Sequence, residues 1–260
     1  MVSVLVVGGL YFSWYADYPR SSVHLINDNN EWLQLDKIGH ATVAYNIGKA
    51  GYELLRWPNV DKRKSVWYGG TLGLAYLTVI EIMDGFSEEW GASLGDMSAN
   101  VLGSGLFIGQ QLAWDEQRIS LKRSYHESRY SQYRPGQLGR NFPERMLKDY
   151  NGQTFWLSVN VHSFLPDQSR FPKWFNLALG YGADGMIGGR MNPSVVDGTA
   201  IPSFNRERKY FLSLDLDLSR IETRSKTLGK IFKIASIFKF PFPAVEYRAG
   251  HRWILHEIYY

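Results

Sequence analysis

The sequence predicts an α+β fold: an N-terminal helical hairpin module over residues 1–115, packed with a C-terminal antiparallel β-sheet or partial barrel over residues 116–260. Three observations predict it. Polar side chains recur at helical spacing in the first part, since Asp36 and His40 are four apart, Glu81 and Asp84 three apart, and Asp96 and Asn100 four apart. After Trp114 the apolar period changes from that of a helix to two. Turn and capping residues punctuate both parts where the elements should start and stop.

The first helix should run from about Asp36 to Trp57 and end before Pro58, because proline cannot continue a helix. A second should cover Ser65 to Asp84, after the charged turn NVDKRK. The third should begin at Ser93, where Ser93 and Asp96 form a capping-box-like start, and continue to about Trp114. Gly69 and Gly73, and then Gly105 and Gly109, stand at small-xxx-small spacing and imply close helix–helix contact. By apolar length neither the second nor the third helix should reach the roughly 20 residues of a clean membrane span. The mean hydropathy of −0.26 also argues against an ordinary polytopic helical protein.

Strand candidates follow. TFWLSVNVHSFL (154–165), FNLALGYGAD (175–184) and KYFLSLDLDLSRI (209–221) alternate apolar residues with small, amide or acidic ones. The last opposes Tyr210, Leu212, Leu214, Leu216 and Leu218 to Phe211, Ser213, Asp215 and Asp217. Lipid on one side and a polar lumen on the other would produce this pattern, and so would a soluble half-buried sheet. AVEYRAGHRWILHEIYY is the final strand candidate, ending on Tyr260 as outer-membrane barrels end on an aromatic residue. With about five candidates visible, a small channel would need more strands. SKTLGKIFKIASIFKF (225–240) should be an amphipathic helix, on a membrane surface or on the sheet. The Arg- and Tyr-rich stretch 124–153 should be an ordered loop, its arginines paired with Glu127, Glu144 and Asp149. GGRMNPSVVDGTAIPS (188–203) should be an exposed connection.

Composition bounds the partners. Nine Trp, sixteen Tyr and fourteen Phe call for lipid, a partner or an unusually aromatic core. A net charge of +4 without a basic stripe does not point to nucleic acid. The absence of cysteine removes disulfides, thiol catalysis, thiolate metal sites and an acyl-cysteine anchor from this sequence. The opening MVSVLVVGGLYFSWYADYP is apolar without a preceding basic residue, and reads either as a worn signal-like segment or as an ordinary first element.

The candidate site is the polar set Asp36, Lys37, His40, Glu81, Asp84, Ser93, Asp96 and Asn100. Burying such groups is costly unless they bond one another, so three polar helix faces imply one shared cluster, acting as a site or as a structural clasp. A catalytic reading makes His40 the base, with Asp36, Glu81, Asp84 or Asp96 as its carboxylate partner. No G-x-S-x-G elbow surrounds Ser87, Ser93 or Ser98, no paired Glu-x-x-His motif supplies a di-iron site, and no EF-hand spacing occurs. No cofactor or metal is therefore expected.

On DKIGH (36–40) and EIMDGFSEEWGASLGDMSANVLG (81–103) the chain resembles the YfiM-like family of bacterial envelope proteins, which has no established activity. LKDYNGQTFWLS (147–158) and PKWFNLALGYGADGM (172–186) extend the resemblance to the long Bacteroidetes-type forms. A fainter similarity to VanZ-like membrane proteins covers the helices. The resemblance implies a location in the envelope. Together these readings lead to a non-enzymatic outer-membrane component or accessory subunit, with membrane lipid and outer-membrane proteins as partners. The rival is an enzyme acting on lipid or cell-wall material.

Overall fold

A computed structural model describes residues 19–166, 168–250 and 252–260, so the reading of the opening segment falls outside the described residues. Helix α1 spans Leu35–Arg56 and stops one residue short of Trp57 and Pro58. The second helical stretch starts earlier than its sequence suggests. Asp61 caps Lys62–Lys64, a π-helical turn follows over Ser65–Gly69, and α2 continues over Leu72–Gly85. This corrects the estimate of span length: without a break at the π-turn, Lys62–Gly85 is long and apolar enough by composition to cross a membrane. Helix α3 spans Leu94–Trp114 behind its Ser93 cap, whose hydroxyl accepts from the Asp96 amide.

The helices pack through glycine. A Cβ on Gly73 would sit 2.2 Å from the Ala44 carbonyl oxygen, and one on Gly103 would sit 2.0 Å from that of Ala41. Gly48 and Gly51 of α1 likewise meet the backbone of Gly70 and Gly69. Gly105 and Gly109 meet nothing within 4 Å among the described residues, so their spacing does not mark a helix contact.

Strand β1 (Ile119–Tyr125) opens a six-stranded antiparallel meander with β2 (Gln153–Asn160), β3 (Phe175–Asp184), β4 (Glu207–Leu216), β5 (Phe242–Arg248) and β6 (Arg252–Tyr259). Spatial order follows chain order, and β1 and β6 do not pair, so the sheet is not a closed barrel. Three strand readings are corrected. The second and fourth strands end at Asn160 and Leu216 because the chain turns into 3-10 helices at His162–Phe164 and Leu218–Arg220. The C-terminal segment is two strands, turning at Gly250, whose φ of 137° favours glycine. Stretch 124–153 contains short helices α4 (Pro135–Leu138) and α5 (Phe142–Lys148). Arg145 pairs with Glu127 there as expected, whereas Asp149 accepts from Ser128 and Asn151. The 188–203 connection carries a small hairpin of Val195–Val196 and Thr199–Ala200. The amphipathic helix is α6, Lys226–Ala235, capped by Ser225.

The inner face of the sheet holds an apolar cluster of Trp156, Ala178, Phe211, Ala244 and Tyr259 together with many polar groups. These include Ser158, Asn160, Asn176, Lys209, Ser213, Asp215 and Glu246, all buried. Lys122 and Asp215 pair there at 2.7 Å, and Phe240 donates its amide to Asp215 as residues 237–240 cross the concave side. The outer face carries a row in direct register, Leu157, Leu179, Leu212, Val245 and Leu255. These side chains are exposed, Leu255 at 73%. A second row, Tyr181, Tyr210, Tyr247 and Trp253, forms a chain of rings with centroids 4.8 to 6.4 Å apart. The sheet curls enough for the Tyr259 hydroxyl of β6 to bond Thr154 of β2 at 2.9 Å.

Helices close the β1 edge. Asn46 donates to the Leu121 carbonyl and Gln110 to that of Ile119, while Arg123 exchanges backbone bonds with Ile237 and Lys239. An edge strand saturated in this way cannot recruit another strand.

Candidate functional site

The first two turns of α1, the last turns of α2 and the first turns of α3 converge at one end of the helical bundle. The Ser93 cap places two of them: its amide donates to Glu81 Oε2 at 2.9 Å and its hydroxyl to Asp28 at 2.6 Å. Glu81 thus serves as an acceptor at the start of α3, where the helix dipole favours negative charge. Lys37 Nζ lies 2.6 Å from Asp28, 2.8 Å from Asp96 and 3.4 Å from Asp36.

His40 sits at the centre. Its Nδ1 is 3.1 Å from Asn100 Oδ1, an amide acceptor, so Nδ1 carries the proton. Its Nε2 lies 4.0 Å from Asp36 Oδ1 and 3.9 Å from Asp96 Oδ1. Burial opposes charge on the imidazole, but Asp36, Asp96 and Glu81 outweigh it and hold the ring above its ordinary range. Burial, reinforced by Asp36, pushes Asp96 up to about 7. Burial also works against Lys37, yet its ring of acids holds the ammonium above its usual value. Asp28 is kept low by Lys37 and Ser93 in spite of burial. Both His40 and Asp96 are thereby driven toward their protonated forms.

Every residue of the sequence-defined set lies at this end, and Asp84 lines the cleft beside it. Two members were not anticipated. Asp28, in the polar turn NDNNEW, has no helical spacing to mark it. Tyr150 donates its hydroxyl to Asp36 from more than a hundred positions away, a distance that no local pattern spans. The cleft has a volume of about 400 Å³. Polar side chains, His40, Asp36, Asp96 and Tyr150, meet apolar walls from Val43, Ile80 and Met83 in it. No serine or threonine lines it among the described residues, and the hydroxyls that do are those of Tyr76 and Tyr150.

Residues 26–108 match the model of a family described as predicted periplasmic lipoprotein (DUF2279). The matched span is under a third of the chain, yet it includes Asp28, Asp36, Lys37, His40, Glu81, Asp84, Asp96 and Asn100. No curated protein and no solved structure matches. The match points to a protein of the cell envelope, and it covers the helices and their polar cluster but not the sheet.

Proposed function

We propose that this chain is a non-catalytic outer-membrane protein, of the YfiM-like kind, that seats its sheet in lipid and serves as a component or accessory of a membrane assembly. The observation that carries the reading is the exposed apolar outer face of the sheet, opposite an inner face rich in buried polar groups. Charged and amide groups share that inner face with the Trp156, Phe211 and Tyr259 rings, while Leu179, Leu212 and Leu255 face outward in register. In water such a surface would leave several side chains unburied, each forgoing about 1.5–3 kcal/mol. Contiguous exposed apolar surface of this kind marks an interaction site.

The aromatic row fits the same reading. Tyr181 donates to the Leu33 carbonyl and Arg208 to Gln34, so the row is level with the start of α1 and with the polar cluster. Tyr and Trp favour the membrane–water boundary. The cluster would then stand at headgroup level, clasping the helices, with the leucine row deeper in the acyl region. Outer-membrane protein partners are the natural occupants of the exposed helix faces.

Separation of inner from outer membranes tests the location, with recovery of the chain in the outer fraction expected. Recovery of the intact chain as a monodisperse species without detergent would overturn the lipid reading. A second reading, an enzyme acting on lipid or cell-wall material, is favoured by one observation: the cleft opens directly onto His40. His40→Ala and Asp96→Asn in a still-folded protein discriminate, since a scaffold keeps its partners and an enzyme loses turnover by orders of magnitude.

A further inference from the structure

The cluster gathers more carboxyl groups than cations among the residues that contact Lys37 and His40. Asp28, Asp36, Glu81 and Asp96 surround one fixed cation, Lys37, and a histidine. The side chains of Glu81 and Asp96 are only 4% and 6% exposed. Uncompensated charge so far from water is costly, and a protein relieves it by protonation or by binding a cation.

His40 Nε2 stands 4.0 Å from Asp36 Oδ1, which also accepts from Tyr150, and 3.9 Å from Asp96 Oδ1, which also pairs with Lys37. Asp36, His40 and Asp96 offer donor atoms within 4.8 Å of one another. Two details point to a ligand beyond the acidity of the cluster. The Asp96 residue is 4% exposed, and its Oδ1 is ion-paired with Lys37 Nζ at 2.8 Å but has no aligned hydrogen-bond donor. His40 donates Nδ1–H to Asn100, so the proton that a metal ion would displace is the one on Nε2, beside the two carboxylates. That is the arrangement by which a second-shell acceptor fixes a metal-binding tautomer.

We propose that Asp36, His40 and Asp96 bind a divalent first-row transition-metal ion, with Asn100 as the residue that orients His40. Imidazole with two carboxylates suits zinc or manganese, whereas calcium and magnesium select oxygen alone. Donors about 2.0–2.2 Å from zinc would each need to shift by roughly 0.5 Å from their present places. The remaining coordination position faces the cleft that His40, Asp36 and Asp96 line. The site expected from sequence held no metal; the tertiary arrangement supplies the donors that spacing did not.

The test uses the full chain in detergent, stripped with a chelator and titrated with Zn²⁺ by calorimetry, with metal content measured in parallel. One zinc per chain is expected, with a zinc-dependent rise in unfolding temperature and a visible absorption band when Co²⁺ replaces zinc. His40→Ala and Asp36→Asn should each weaken binding at least 100-fold, and Asn100→Ala by about 10–100-fold. Asp36 is the most exposed of the three ligands, so Asp36→Asn remains informative if His40→Ala fails to fold. Substoichiometric binding, or affinity unchanged in Asp36→Asn, would overturn the proposal. Neither result depends on whether the sheet meets lipid, which membrane fractionation decides separately.

Discussion

The Lys122 ammonium and the Asp215 carboxylate lie 2.7 Å apart on the inner face of the sheet, 1% and 0% exposed. Asp215 also accepts from Ser158 at 2.6 Å and from the Phe240 amide at 2.9 Å, while Lys122 donates to the Leu216 carbonyl. The pair ties β1, β2 and β4 to the segment that crosses the concave side. Removing one partner leaves a buried charge alone. Lys122→Met should therefore cost about 3–5 kcal/mol, and the double change Lys122→Met with Asp215→Leu should recover much of it. Denaturant unfolding of the two variants checks this.

On the outer face the lipid reading makes the opposite demand. Leu212→Arg, in the middle of the leucine row, should cost about 2–4 kcal/mol for folding into vesicles. The same change on a water-facing surface would fall within about 0.5 kcal/mol. Folding yields into lipid vesicles against urea measure the difference.

Helix packing gives a paired prediction. Gly73→Ala puts a methyl group against the Ala44 carbonyl and should destabilise by about 1–3 kcal/mol. Gly105→Ala, facing nothing within 4 Å, should be neutral or stabilise by up to about 1 kcal/mol. Thermal unfolding of the two variants should shift in opposite directions or leave Gly105→Ala unmoved.

His126, just beyond the end of β1, sets a pH dependence. Burial, with the Lys209 ammonium nearby, lowers its pKa to about 4 from an ordinary 6.5. The unfolded chain takes up this proton first as pH falls. The full contribution to stability is present above 6.5, declines between 6.5 and 4, and is flat below. The loss amounts to about 3 kcal/mol. His126→Gln should flatten that part of the stability profile relative to the parent chain.

Helix boundaries were readable because local chemistry sets them. Ser93 caps α3 through its own hydroxyl, and Pro58 ends α1 from two residues away. Strands β2, β3 and β4 were readable from period-two alternation, down to which side of β4 is acidic, whereas β1 was not singled out. The π-helical turn at Ser65–Gly69 was hidden, since no residue there differs from those of an ordinary helix. The hairpin at Gly250 was hidden by strand-like residues on both sides of it.

Of the site, the helical pairs were legible and their meeting was not. Spacing fixes which side chains share a helix face, so Asp36 with His40 and Asp96 with Asn100 follow from the sequence alone. That these faces meet depends on glycine contacts between helices, such as Gly103 against Ala41, which spacing does not report. Gly105 and Gly109 have the same spacing and meet nothing. Asp28 and Tyr150 join only through the folded chain.

The sequence by itself determined the three long helices, the Ser93 cap and the two faces of β2, β3 and β4, because those depend on neighbours within a few residues. Only the tertiary structure decided that the oily side of the sheet points outward and that His40 stands between two carboxylates. Both are consequences of how separate segments pack, where desolvation and charge act through space rather than along the chain.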